Sequence, residues 1–196
     1  MPLRIARHIP ALARPGTTVQ RQRRLSTSAW HLSNRLTHVD ESGEAHMVDV
    51  SAKTPTLRTA VARGRVLMNK ETFDLIKQDG IKKGNVLTVA QIAGIQGAKN
   101  CSQMIPLCHP INLTKVAVEF ALVDGLEEPH SCAVEISSLV KCKGETGVEM
   151  EALSAVSVAA LTIFDMCKAV TKDMRIDGVR VVEKSGGKSG HWKNDA

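Results

Sequence analysis

The chain has 196 residues, 43% hydrophobic and 23% charged, with two Trp, three Phe and no Tyr. This is the composition of one ordinary globular domain, and so few aromatic rings argue against a module that stacks nucleic-acid bases on them. The formal net charge of +6 is uneven: seven of the 26 basic residues are Arg within residues 1–35, which hold no acidic residue, so the rest sets 19 basic against 20 acidic groups, a net of −1.

Residues 1–35 are Arg-rich, contain Ser and Thr and lack acids, the pattern of a mitochondrial transit peptide. Within them Arg23-Arg24-Leu25-Ser26-Thr27-Ser28 resembles a matrix-processing signal. The competing reading is a basic tail that binds nucleic acid. We expect a leader over 1–35, a folded domain over 36–196 and residence in the mitochondrial matrix. The five cysteines (Cys101, Cys108, Cys132, Cys142 and Cys167) are odd in number and include no Cys-x-x-Cys. They fit a reducing compartment without disulfides. Cys108-His109 is the only adjacent Cys/His pair, and no zinc site is expected.

Residues 34–56 read as an irregular, turn-rich arm. Thr59–Leu67 alternates weakly and predicts a strand. Lys70–Gln78 predicts a short amphipathic helix, with Phe73 and Ile76 on one face and Asp79-Gly80 at its end. A second apolar helix should run from Val86 to about Gln103, with Asn85 as N-cap. Lys82 and Lys83 precede that helix start, where positive charge is unfavourable unless an anion is present. They are either a phosphate site or two solvated lysines in a turn. Pro106 and Pro110 bracket Leu107-Cys108-His109 and leave His109 little freedom. It is either positioned for a ligand or part of a rigid connector, bonded to nearby backbone.

Leu113–Val123 and Ser131–Cys142 alternate and form a hairpin joined by residues 125–130. Gly147–Val170 then predicts a long helix, with Thr146 and Glu149 as a capping box. No charge occurs between Glu151 and Asp165, so this helix should be buried. Ser154, Ser157 and Thr162 interrupt it too much for a good membrane span. Asp165 and Lys168 share a face at its end, as an ion pair on the last turn or as an acid/base couple. Glu151 and Asp165 lie fourteen residues apart, roughly 21 Å along a helix. If both serve one site, the substrate is long or a second subunit contributes. Arg175–Val182 predicts the last strand, with a bulge or bend at Asp177-Gly178.

The order strand, helices, strand, strand, helix, strand is the split β-α-β pattern of a ferredoxin-like α+β fold, an antiparallel sheet covered by helices. In the tail, Lys184 to Gly190 contains Gly-Lys-Ser, but Val182 stands where a P-loop needs glycine. This segment is either a loop that offers N–H and ammonium groups to phosphate or a disordered tail.

Four stretches, HMVDVSAK (46–53), AGIQGAK with MIPLCHPI (93–111), TGVEMEAL with DMCKAV (146–170) and KSGGKSG (184–190), together resemble the cyclic pyranopterin monophosphate synthase family of molybdenum-cofactor biosynthesis. The likeness covers residues 36–192. It implies a lyase whose substrate is a GTP-derived small molecule, a dihydro-GTP cyclised between ribose C3′ and guanine C8. The products are cyclic pyranopterin monophosphate and diphosphate. It also implies a ferredoxin-like fold in a homo-hexamer built as a trimer of dimers, with the site at a subunit interface. By matching motif, Asp165 resembles the catalytic acid/base, and Lys83 and Lys168 its catalytic partners. Leu107, Cys108, His109, Met150 and Glu151 resemble substrate-binding residues, as do Lys184 and Arg58. No resident metal, cofactor, nucleic acid or membrane is implied, and any need for Mg²⁺ is not legible. The alternatives are a ferredoxin-like RNA-binding module and a partner-binding protein without chemistry. A near-neutral body counts against the first; a buried Asp165/Lys168 couple converging with other lysines would be odd in the second.

Overall fold

A computed structural model describes residues 44–127 and 130–194. The expected leader, 1–35, lies outside the described residues. Five strands and four helices follow in the order β1 (Thr56–Met68), α1 (Lys70–Lys77), α2 (Val86–Lys99), α3 (Cys101–Met104), β2 (Leu113–Asp124), β3 (Cys132–Gly144), α4 (Glu149–Cys167), β4 (Arg175–Ser185) and β5 (Trp192–Lys193). The strands form one antiparallel sheet in the order β2-β3-β1-β4-β5. This is the expected α+β arrangement, in which each helical crossover returns the chain to a strand two places away. β5 was not legible in the sequence; it is two residues long and exists only by pairing Lys193 with Glu183 and Trp192 with Lys184.

Strand alternation sets the layers. On β1, Ala60, Ala62, Val66 and Met68 are fully buried; on β3, Val134, Ile136 and Val140 are buried with them. These residues share the sheet face that α4 and α2 cover, because side chains two apart point the same way. Gly64 keeps this face flat where α4 approaches: a Cβ there would lie 2.9 Å from Val156. The bend expected at Asp177-Gly178 is present, with Gly178 at φ 64° opposite a register shift between Arg63 and Arg65.

The helix starts are set locally. Asn69 caps α1 by accepting from the Thr72 N–H, and Asn85 caps α2 by accepting from the Thr88 N–H, as expected. The second helix does not run unbroken to Gln103: Asn100, at φ −96° and ψ 11°, leaves helical geometry and separates α2 from α3. The capping box expected at Thr146 and Glu149 does not form. α4 has Val148 as N-cap with no side-chain cap bond, because Glu149 turns to Lys184 instead, 2.9 Å away.

α4 is long and apolar enough to cross a membrane, yet it lies against the sheet with Ala152, Ala155, Val156, Ala159, Ala160 and Ile163 fully buried. Its burial is not complete on every face. Leu161 is 59% exposed, and Ile92 on α2 is 64% exposed.

Candidate active site

The C-terminal end of α4 meets the loop between α1 and α2. Lys83 comes from that loop and donates to Asp165 twice, to Oδ2 at 2.9 Å and to the backbone carbonyl at 2.8 Å. Lys168, one turn beyond Asp165, places its ammonium 2.7 Å from Oδ1. One carboxylate thus lies between two ammonium groups at a helix end, where the dipole also favours positive charge. The hydrogen bonds and charges of Lys168, then of Lys83, hold the Asp165 carboxyl down at about 2. The couple is not buried: the Asp165 side chain is 57% exposed and those of Lys83 and Lys168 are 47% and 54% exposed. Asp165 points outward from the last turn, away from the apolar face that enters the core.

The N-terminal end of α4 carries a second group. A cavity of about 390 Å³ is lined by Leu107, Cys108, His109, Met150 and Glu151, together with Val48, Lys53 and Glu149. His109 is held by a 2.7 Å bond from Nε2 to the Val48 carbonyl. It is therefore tied to backbone, as the connector reading required, and also lines the cavity. Glu151 is 3% exposed, and loss of water pushes its carboxyl above the ordinary value, against a smaller lowering by its own backbone N–H and by the Cys101 thiol. Burial also pushes the Cys101 thiol up to about 12, so this thiol packs rather than reacts.

A neighbouring cavity of about 700 Å³ shares Lys53, Thr146, Gly147 and Glu149 with the first and adds Arg58, Lys184 and the loop Gly186–Ser189. Arg58 donates to the carbonyls of Gly144 and Glu145 at 3.3 and 3.1 Å. Gly186 and Gly187 have φ of 99° and 72°, and a Cβ on Gly186 would lie 2.1 Å from the Leu57 carbonyl oxygen. The tail loop needs glycine there for both conformation and space. It is an ordered turn, closed by bonds between Gly186 and Gly190 and between Gly190 and Gly187.

The structure thus brings Asp165, Lys83 and Lys168 together at one end of α4. It gathers Leu107, Cys108, His109, Met150, Glu151, Arg58 and Lys184 at the other. Glu151 and Asp165 stand fourteen residues apart on α4, roughly 21 Å along its axis, so one chain does not join them. Lys53 and Glu149 line both cavities but were not singled out as site residues. No spacing signal could have found them, since Lys53 lies on an irregular arm and the partner of Glu149 is 35 residues away. A third concavity, about 500 Å³ on the open sheet face, is lined by Arg63, Arg65, Glu119, Glu135, Asp177 and Arg180. It contains none of the expected residues.

A single antiparallel sheet with helices on one face, and ion-paired lysines at both ends of its core helix, defines an α+β protein with a candidate site group at each end of α4. The chain belongs to the MoaC family, whose family model matches residues 47–187. It is 60% identical over 157 residues to the cyclic pyranopterin monophosphate synthase of Heliobacterium modesticaldum, covering 80% of this chain and 96% of that protein. The synthase of the same name from Chloroflexus aurantiacus is 54% identical over 160 residues, covering 82% and 95%. That of Desulfitobacterium hafniense is 55% identical over 157 residues, covering 80% and 93%.

Proposed function

We propose that the protein is a lyase of molybdenum-cofactor biosynthesis that converts the 3′,8-cyclised dihydro-GTP into cyclic pyranopterin monophosphate and diphosphate. The observation that carries this reading is the likeness to relatives of that name over nearly their whole length. It favours an enzyme over an RNA-binding module.

The site groups suit the steps. A sugar oxygen attacks the α-phosphorus; one P–O bond forms, the bond to the β-phosphate oxygen breaks, and diphosphate leaves with the electron pair. Cations at the triphosphate stabilise the charge that develops on the leaving group. Lys83 and Lys168 supply compact ammonium charges for this. Opening and reclosing the base ring moves protons to and from nitrogen and oxygen atoms, the task of Asp165 with its lysines. In the free chain Asp165 is ionised and a weak base. Phosphates that compete for both ammonium groups would release its carboxyl toward ordinary basicity, so proton transfer is favoured where substrate is bound. The pocket group, Leu107, Cys108, His109, Met150 and Glu151, would seat the fused rings, and Arg58 and Lys184 would meet further anionic oxygens.

The two groups lie at opposite ends of α4, which supports a site completed by a second subunit in a homo-hexamer of dimers. Residues 1–35 would direct the chain to the mitochondrial matrix. The deciding experiment is Asp165→Asn. Asn keeps the shape but cannot take up and return a proton. Turnover should fall by a factor of about 10² to 10⁴ with substrate affinity and melting temperature near wild type. Near-normal single-turnover rates would remove Asp165 from the chemistry and leave it an ordinary surface ion pair.

A further inference from the structure

Lys83 reaches Asp165 from a loop, and a loop lysine is positioned only as well as its loop is. The ends of this loop are joined directly. α1 terminates with Asp79 in the left-handed region, φ 52°, the only non-glycine residue there among those described. The Gly80 N–H bonds to the Leu75 carbonyl at 2.8 Å and the Asp79 N–H to the Ile76 carbonyl at 3.2 Å, the pattern of a helix closed by a left-handed residue. Glycine is the usual occupant of that position. Aspartate adds nothing to the cap itself. Its carboxylate instead accepts from the Asn85 side-chain amide at 2.7 Å, while the Asn85 Oδ1 caps α2 by accepting from the Thr88 N–H at 2.7 Å. The last residue of one helix end is thus bonded to the first residue of the next. Between them, Ile81 is 7% exposed and anchors the loop in the core, and the Gly84 N–H closes a turn on the Ile81 carbonyl at 3.0 Å. Lys83 is the residue this turn presents.

We propose that Asp79 is a positioning residue, whose bond to Asn85 holds the loop 80–84 so that Lys83 meets Asp165. The proposal rests on the role given to Lys83 above.

Asp79→Gly tests it without straining the backbone, because glycine tolerates the left-handed conformation. Asp79→Asn keeps an oxygen acceptor for Asn85 and tolerates the same conformation. For Asp79→Gly the melting temperature should match wild type, kcat/KM should fall about three- to tenfold, as for one lost hydrogen bond, and the Asp165 carboxyl, followed by NMR, should titrate at higher pH. Asp79→Asn should restore both kcat/KM and the Asp165 titration. An Asp79→Gly enzyme with wild-type kcat/KM and an unmoved Asp165 titration, beside a crippled Lys83→Ala enzyme, would overturn the clamp alone. Wild-type turnover in Lys83→Ala would overturn the role of Lys83, and the clamp with it. Equal losses in Asp79→Gly and Asp79→Asn would also overturn it, since the second retains the bond.

Discussion

Two carboxylates on one helix are driven in opposite directions by their surroundings. Asp165 is exposed between two ammonium groups and is held at about 2. Glu151 is buried and raised, mainly by desolvation. Their effects on stability therefore have opposite signs. The folded state favours the charged form of Asp165, so its contribution is present above the ordinary carboxylate range and is lost as pH falls toward about 2. The folded state favours the neutral form of Glu151, so stability declines as pH rises from the ordinary glutamate value to its raised one. Glu151→Gln should therefore melt a few degrees higher than wild type at pH 7.5 and level with it near pH 4; equal midpoints at pH 7.5 would contradict a strained buried carboxylate. The i, i+3 spacing made the Asp165–Lys168 pair legible, because helical geometry is local. The contact with Lys83 spans 82 positions, and no local rule reports it.

At the scale of elements, the contact of α2 with α4 depends on absent side chains. A Cβ on Gly94 would lie 2.9 Å from the Ala155 carbonyl oxygen, and one on Gly97 would lie 2.8 Å from Val158. Two helices that touch through glycine approach closely, and the backbone oxygen cannot move as a side chain could. Gly94→Ala gains about 1 kcal/mol in helix propensity, but overpacking here should outweigh that and leave a net loss of about 1–2 kcal/mol. Chemical denaturation measures it, and a more stable Gly94→Ala would show that the interface is looser than described. In the sequence these glycines are only two letters of the AGIQGAK stretch; as contact surfaces they became visible only once α4 was placed. The same holds for Glu149. Its sequence position suits a capping box, but an ion pair with Lys184, brought close because β4 runs beside β1, takes the carboxylate elsewhere.

At the scale of the whole molecule, Leu161, Ile92 and Val89 remain 59%, 64% and 42% exposed on the helical layer, and the two groups of site residues stay apart. Both facts fit a chain that completes its site in an oligomer. Light scattering on the full chain and on a chain lacking residues 1–32 should give the same number of subunits, each with the same turnover. A fully active monomer would exclude the shared site, and loss of activity on truncation would exclude a dispensable leader. By itself the sequence determined the longer elements and their order, though not β5 or the break at Asn100, because alternation and helical periodicity are properties of neighbours in the chain. It also carried the family, because the motifs at 46–53, 93–111, 146–170 and 184–190 are contiguous strings. Only the tertiary structure decided that Lys83 faces Asp165, that Glu149 pairs with Lys184, that the tail loop is ordered over Arg58, and that the Asp165 couple is exposed. Each of these depends on which strands lie side by side and which helix end meets which loop, and such distances are set by packing the whole sheet rather than by any spacing along it.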